Sequence, residues 1–119
     1  MKVIIAGCRD YTKMSGLEVA VDKAGFPMTE IVCGGAKGAD ELGRIYAREW
    51  AIPVKMFNAD WQKHGKAAGP IRNEEMAKYG DALIALWDGK SRGTQNMIWR
   101  ARSIHELPTF IYRFDEEGS

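Results

Sequence analysis

Short apolar runs alternate along this chain with longer stretches in which apolar residues recur on one helical face. Val3 to Ala6 is a continuous apolar run, the pattern of a central parallel strand covered on both faces. Leu17, Ala20, Val21 and Ala24 follow at i, i+3, i+4 and i+7, which predicts an amphipathic helix ending near Gly25, before the break at Phe26-Pro27. Glu30 to Gly34 reads as a second strand, and Leu42, Ile45, Tyr46 and Trp50 mark one face of a second helix. Pro53 to Phe57 is a third strand. Pro70 suits the first turn of a third helix, where its missing N–H costs nothing, and Glu74 and Glu75 suit that helix's positive end. Ala82 to Trp87 is an apolar run of strand length, entered after Gly80-Asp81. Met97, Ile98, Ala101 and Ile104 form a last helical stripe, closed by Pro108, and Thr109 to Phe114 is a fifth strand.

Five strands alternating with four helices specify an α/β fold, a three-layer αβα architecture on a five-stranded parallel sheet. Right-handed crossovers favour the strand order 3-2-1-4-5. The expectation is a single domain over 1–114 followed by a frayed acidic tail, 115–119. Asn58 to Gly69 is polar and mixed, a connection long enough to be a lid or binding loop.

In such a sheet the loops after strands one, two and four gather at the C-terminal edge, where ligands bind. All three carry glycine and charge. In Gly7-Cys8-Arg9-Asp10-Tyr11, Gly7 lets backbone approach a ligand, Arg9 is placed to meet phosphate, and Asp10 to meet a hydroxyl or cap a turn. In Gly34-Gly35-Ala36-Lys37-Gly38-Ala39-Asp40, the three glycines permit close approach, and Asp40 and Glu41 fall in the next helix's first turn. Asp40 there either complements the helix dipole or holds a ligand hydroxyl. Asp88-Gly89-Lys90-Ser91-Arg92-Gly93-Thr94 ends strand four and opens a helix whose N-terminal N–H groups can receive an anion. Neither a Walker A motif nor Gly-x-Gly-x-x-Gly is present. The chemistry indicated is recognition of a phosphorylated small molecule.

Backbone amides of Gly35 to Ala39 and of Gly89 to Thr94 are candidates to cradle the phosphate. Arg72 is the first choice of cation, because a planar fork binds two oxygens at once. Arg9, Lys37, Lys90 and Arg92 are second choices, and Ser91 and Thr94 could add hydroxyl donors. Asp40 or Asn73 could bind a ribose hydroxyl, and Trp61 or Trp87 could cover a base. The plainer alternatives are a structural salt bridge from Arg72 to Asp40 or Glu75, packing for Trp61, and, for His105, a cation favoured by the helix dipole or a surface position. His64 has no evident partner for catalysis.

Composition narrows the class. At 119 residues, 45% apolar and 28% charged, the chain can bury a working core. A net charge of +1 counts against a dedicated duplex-DNA binder. Cys8 and Cys33 each lie in or beside an apolar strand and read as buried thiols, with a disulfide or redox pair as the alternative. No Cys–His spacing resembles a zinc site, no carboxylate cluster stands out as a metal site, and no run approaches membrane length. The expected location is cytoplasmic. No cofactor is specified.

Gly34 to Asp40, Asp60-Trp61, Gly65-Lys-Ala-Ala-Gly-Pro-Ile-Arg-Asn73 and Gly89 to Thr94 together resemble the YspA/YpsA-related branch of the SLOG superfamily, over nearly the whole chain. The resemblance implies a Rossmann-like fold and a nucleotide or nucleotide-derived ligand, held by a sensor, carrier or sequestering protein. Two relatives imply alternatives. LOG phosphoribohydrolases cleave nucleoside monophosphates at the N-glycosidic bond, and Arg72, Asp81-Ala82 and Gly93-Thr94 match their signature in order. Their catalytic Glu falls on Met97, which can neither act as a base nor stabilise a cation. Hydrolysis of a nucleoside monophosphate or an ADP-ribose-like compound would then fall to Arg72 with Asp40 or Glu75. DprA, which binds single-stranded DNA, has a junction similar to Gly35-Ala-Lys-Gly-Ala-Asp40. The near-neutral charge makes nucleic acid the weaker partner. LOG-like relatives pair, which leaves a homodimer open.

Overall fold

A computed structural model describes residues 1–117. Its sheet contains β1 (Lys2–Gly7), β2 (Glu30–Gly34), β3 (Val54–Phe57), β4 (Ala82–Trp87) and β5 (Thr109–Arg113), in the order β3-β2-β1-β4-β5. All four pairings are parallel. The central pair is in register from Val3 opposite Ala82 to Gly7 opposite Leu86. Helices α1 (Met14–Ala24), α2 (Ala39–Glu49), α3 (Trp61–His64), α4 (Ala68–Tyr79) and α5 (Arg92–Trp99) complete an α/β, Rossmann-like three-layer αβα fold.

Alternation along the central strands divides the core into two layers. Val3 and Ile5 of β1 face Leu17 and Ala20 of α1 and Leu42 and Tyr46 of α2. Ile4 and Ala6 face the other way, onto Met76 and Ala77 of α4 and Met97, Ile98 and Ala101 after β4. Because β1 and β4 are buried on both faces, their sequences are continuous apolar runs rather than alternating ones. Gly43 lets α2 sit close to the sheet, since a β-carbon there would stand 2.9 Å from Cys33 Sγ.

Several local expectations change. Asn58 to Gly69 is not an irregular loop. Asp60 caps α3 by accepting the Lys63 N–H at 3.0 Å, and a 3-10 turn at Gly65–Ala67 leads directly into α4. α4 therefore begins at Ala68, so Glu74 and Glu75 lie beyond its first turn and do not meet its positive end. Glu74 instead pairs with Arg100 at 3.0 Å and His105 at 2.7 Å, so His105 is not a plain surface residue. Both partners reach it because α5 runs on as a π-helical turn, Arg100–Ile104, whose i→i+5 bonding brings positions five apart onto one side. The segment after β5 is not frayed at its start. Phe114–Glu116 forms a 3-10 turn, and Phe114 stacks on Tyr11 at 4.3 Å between ring centroids. Gly118 and Ser119 of the expected tail lie outside the described residues. None of the described helices is long and apolar enough to cross a membrane.

Candidate functional site

The parallel order reverses direction between β1 and β4, and the loops leaving them part at the C-terminal edge. A cavity of about 650 Å³ opens there. The β1 loop is anchored by the Cys8 N–H donating to the Leu86 carbonyl at 3.0 Å, while the Cys8 carbonyl accepts from Ala39 at 3.2 Å and Tyr11 at 3.3 Å. This tight fastening leaves Arg9 and Asp10 at the exposed tip, on the cavity wall. Gly38 presses against the same loop with φ of +73° and a would-be β-carbon 2.5 Å from the Cys8 carbonyl oxygen. Only glycine meets both demands.

Asp40, at the start of α2, is 4% exposed and lines the cavity. Burial raises its pKa to about 6, against the pull of Arg72, the Ala36 N–H, Arg44 and Arg9. The Ala36 N–H donates to its Oδ2 at 3.4 Å. Burial also pushes the Cys33 thiol up to about 12, with Asp40 adding to it, and raises the Cys8 thiol. Both cysteines are free and buried.

On α4, Arg72 donates from Nε to Asn73 Oδ1 at 3.2 Å. Among the described residues it makes no ion pair within 4.0 Å with Asp40 or Glu75, so its outer nitrogens are not bound to a carboxylate. Asn73 Nδ2 donates to the Gly93 carbonyl at 3.3 Å and to Asn96 Oδ1 at 3.1 Å. It thereby ties Arg72 to the first turn of α5. Asn96 Oδ1 also accepts from Arg100 Nε at 3.1 Å, extending the chain to Glu74 and His105.

The β4 loop closes the far wall. Asp88 Oδ1 accepts the N–H groups of Lys90 at 2.8 Å and Ser91 at 2.7 Å, which hold its carboxyl below the usual carboxylate range. Those two amides, expected to cradle phosphate, are thus already occupied. Arg92, Gly93 and Thr94 open α5, and no side chain caps its N-terminus. Their amides are the ones left to meet an anion. Thr94 Oγ1 is 3.3 Å from Ser91 Oγ and 3.9 Å from Cys8 Sγ.

Of the sequence candidates, Gly7, Arg9, Ala36, Asp40, Trp61, Arg72, Asn73, Ser91, Arg92, Gly93 and Thr94 share the wall of this one cavity. Gly35 and Lys37 line a smaller neighbouring cavity. Gly34 lies beneath Arg72 and Asp40. Gly38 and Ala39 pack on the β1 loop, and the Ala39 amide is taken by Cys8, so it is no phosphate donor. Gly89 packs against Arg113, Lys90 points to solvent, and both stand outside the two cavity walls. Glu75 is exposed on α4 and also stands outside them. Trp61, 51% exposed, stands at the rim. Trp87 is not free to cover a base: its Nε1 donates to the Ser91 carbonyl at 3.1 Å and Arg113 lies over its ring. Sequence reasoning missed the clamp made by Asp88 and the part played by Asn96. An Asp-Gly pair before a helix start is a readable turn signal for the first. Asn96 acts only through contact between helices and leaves no local signal. Among the described residues no group of His, Cys, Asp and Glu is arranged to hold a metal.

The profile of the YspA, cpYpsA-related SLOG family (YAcAr) matches residues 1–64, more than half of the chain. The chain therefore belongs to that family. It is also 39% identical over 80 residues to the "Gene 61 protein" of Mycobacterium phage D29, an alignment covering 60% of this chain and 62% of the phage protein. The chain thus matches somewhat less than two thirds of that relative's length. No solved structure matches.

Proposed function

We propose that this SLOG-family domain binds a nucleotide or nucleotide-derived ligand, with its phosphate between Arg72 and the N-terminus of α5. The supporting observation is that Arg72, whose outer nitrogens carry no carboxylate partner among the described residues, shares one cavity with an uncapped helix start. A phosphate meets a fixed fork on one side and oriented N–H groups on the other. Arg9 and Arg92 add positive charge at the mouth. Asp10, Ser91 and Thr94 supply partners for sugar hydroxyls, and the exposed ring of Trp61 offers a face to a base. In this reading the protein acts as a sensor, carrier or sequestering module.

The test is thermal melting against nucleoside mono-, di- and triphosphates. A ligand at about a hundred times its dissociation constant adds roughly 2.7 kcal/mol. In a domain of this size that is on the order of 10 °C. The shift should vanish in Arg72→Ala. A panel without any shift rejects the reading.

One observation favours a second reading, N-glycosidic hydrolysis. Asp40 is a buried carboxyl whose pKa of about 6 suits proton transfer near neutral pH. Met97 stands in the cavity wall where LOG-type enzymes carry their Glu, so the acid–base work would rest on Asp40. Release of free base, lost in Asp40→Asn, would support this; a bound nucleotide recovered intact after prolonged incubation would exclude it.

A further inference from the structure

We infer that the ligand has two polar arms joined through a bridging phosphate, a dinucleotide-class small molecule whose anionic linkage is held by Arg72 and the start of α5, with Arg9 beside it. This rests on the nucleotide reading above and makes it more specific.

A second cavity of about 440 Å³ lies beside the main one, between the β2–α2 loop and the segment entering α3. Arg9, Ala36, Trp61 and Arg72 belong to both walls. The two spaces therefore share a boundary, and half of the shared residues are guanidiniums. Among the described residues neither Arg9 nor Arg72 has an ion-pair partner within 4.0 Å. A bridging phosphate at the boundary would be attracted by both, and each arm attached to it would enter one cavity.

Size and chemistry agree with two arms. Small-molecule pockets run from roughly 300 to 1,000 Å³, so either cavity alone is of the order that takes one nucleotide arm, and a mononucleotide would leave the other empty. The main cavity carries the carboxyl groups of Asp10, Asp40 and Asp88 with the hydroxyls of Ser91 and Thr94. Those acceptors suit sugar hydroxyls and base amines of the arm that extends beyond the phosphate. The smaller cavity has no carboxylate in its wall and carries Lys37 and the Asn58 amide. It suits an arm rich in hydroxyl or carbonyl oxygens. Trp61 stands on both walls, half exposed, where a base of either arm can stack. Gly35 and Asn58 approach closely in the wall of the smaller cavity: a β-carbon on Gly35 would overlap Asn58 Oδ1.

The experiment is calorimetric titration with a nucleoside 5′-monophosphate, the matching dinucleoside monophosphate and dinucleoside pyrophosphate, and a ten-residue single strand, for each common base. Wild type is compared with Lys37→Ala and Asn58→Ala, whose side chains are exposed and touch only the smaller cavity. One of the dinucleotides should bind about tenfold or more tighter than its mononucleotide, because the second arm binds intramolecularly. Both variants should cut that advantage several-fold while weakening the mononucleotide much less. Equal affinity for mono- and dinucleotide, or equal losses for both in the variants, overturns the two-arm inference and leaves the nucleotide reading standing. A strand that binds tighter than every dinucleotide overturns it in favour of a nucleic-acid groove. Failure of every nucleotide to bind removes both readings together.

Discussion

Arg72 and Asp40 flank the bare α-carbon of Gly34 without pairing. A β-carbon there would overlap Arg72 Nη1 and stand 2.8 Å from Asp40 Oδ2. The two charges sit at opposite exposures, Asp40 buried and Arg72 half-buried, so the guanidinium is the one free to give way. Gly34→Ala should therefore displace Arg72 into the cavity without dismantling the sheet. Overpacking of this kind costs about 1–3 kcal/mol, read as a lowered melting temperature. Nucleotide binding should fall as far as it does in Arg72→Ala, although no ligand-facing side chain has been removed. Wild-type affinity in Gly34→Ala would show that the position of Arg72 over this strand end is immaterial.

Asp40 gives the fold an unusual pH dependence. Its carboxyl titrates at about 6 in the folded chain against an ordinary 3.8. Between those values the native state binds the proton and the unfolded state does not, so stability falls as pH rises from about 4 to 6. At about 1.4 kcal/mol per pH unit the difference amounts to roughly 3 kcal/mol, lost once Asp40 is charged. Asp40→Asn should remove that slope and melt higher than wild type at pH 7.5, since the amide can still accept the Ala36 N–H. Melting curves from pH 4 to 8 decide it. A slope unchanged by the substitution would mean that solvent or Arg72 already compensates the buried charge in full.

The strands and their order were legible because each central strand is apolar on both faces, and continuous apolar runs joined by amphipathic helices admit few topologies. The gathering of Gly7, Asp40 and Thr94 followed from that topology and from glycine placement, whereas Arg72, on α4, was singled out by the chemistry of its planar fork. What escaped the sequence depends on contacts between distant segments. Which amides are free at the end of β4 is settled by Asp88 folding back on Lys90 and Ser91. The smaller cavity is walled in part by Asn58 and Gly35, which approach each other across two loops. The fate of Glu74 depended on where α4 begins, which a polar stretch containing Asp60 left ambiguous. Asp60 is a good cap residue, and the signal for α3 was present but outweighed by the scarcity of apolar periodicity around it.

Asn73 is the residue on which the two sides of the cavity depend together. It is 5% exposed and uses both ends of its amide, accepting from Arg72 and donating to the Gly93 carbonyl and to Asn96. Asn73→Ala leaves the Gly93 carbonyl and Asn96 Oδ1 short of a donor and releases Arg72 Nε. Losing such buried partners costs about 1–3 kcal/mol. Asn96→Ala removes one of the same bonds and the one from Arg100 Nε, but leaves Asn73 attached to Arg72 and Gly93, so its cost should be smaller. If Asn73 orients the anion site, affinity measured well below the variant's melting temperature should drop about tenfold in Asn73→Ala, or roughly 1.4 kcal/mol. Asn96→Ala should bind within a few-fold of wild type. The double variant should lose less than the sum of the two, because both single changes break the same bond. Asn73→Ala with lowered stability but intact affinity would confine Asn73 to holding α4 against α5, and the orientation of Arg72 would then have to come from Gly34 and Asp40 alone.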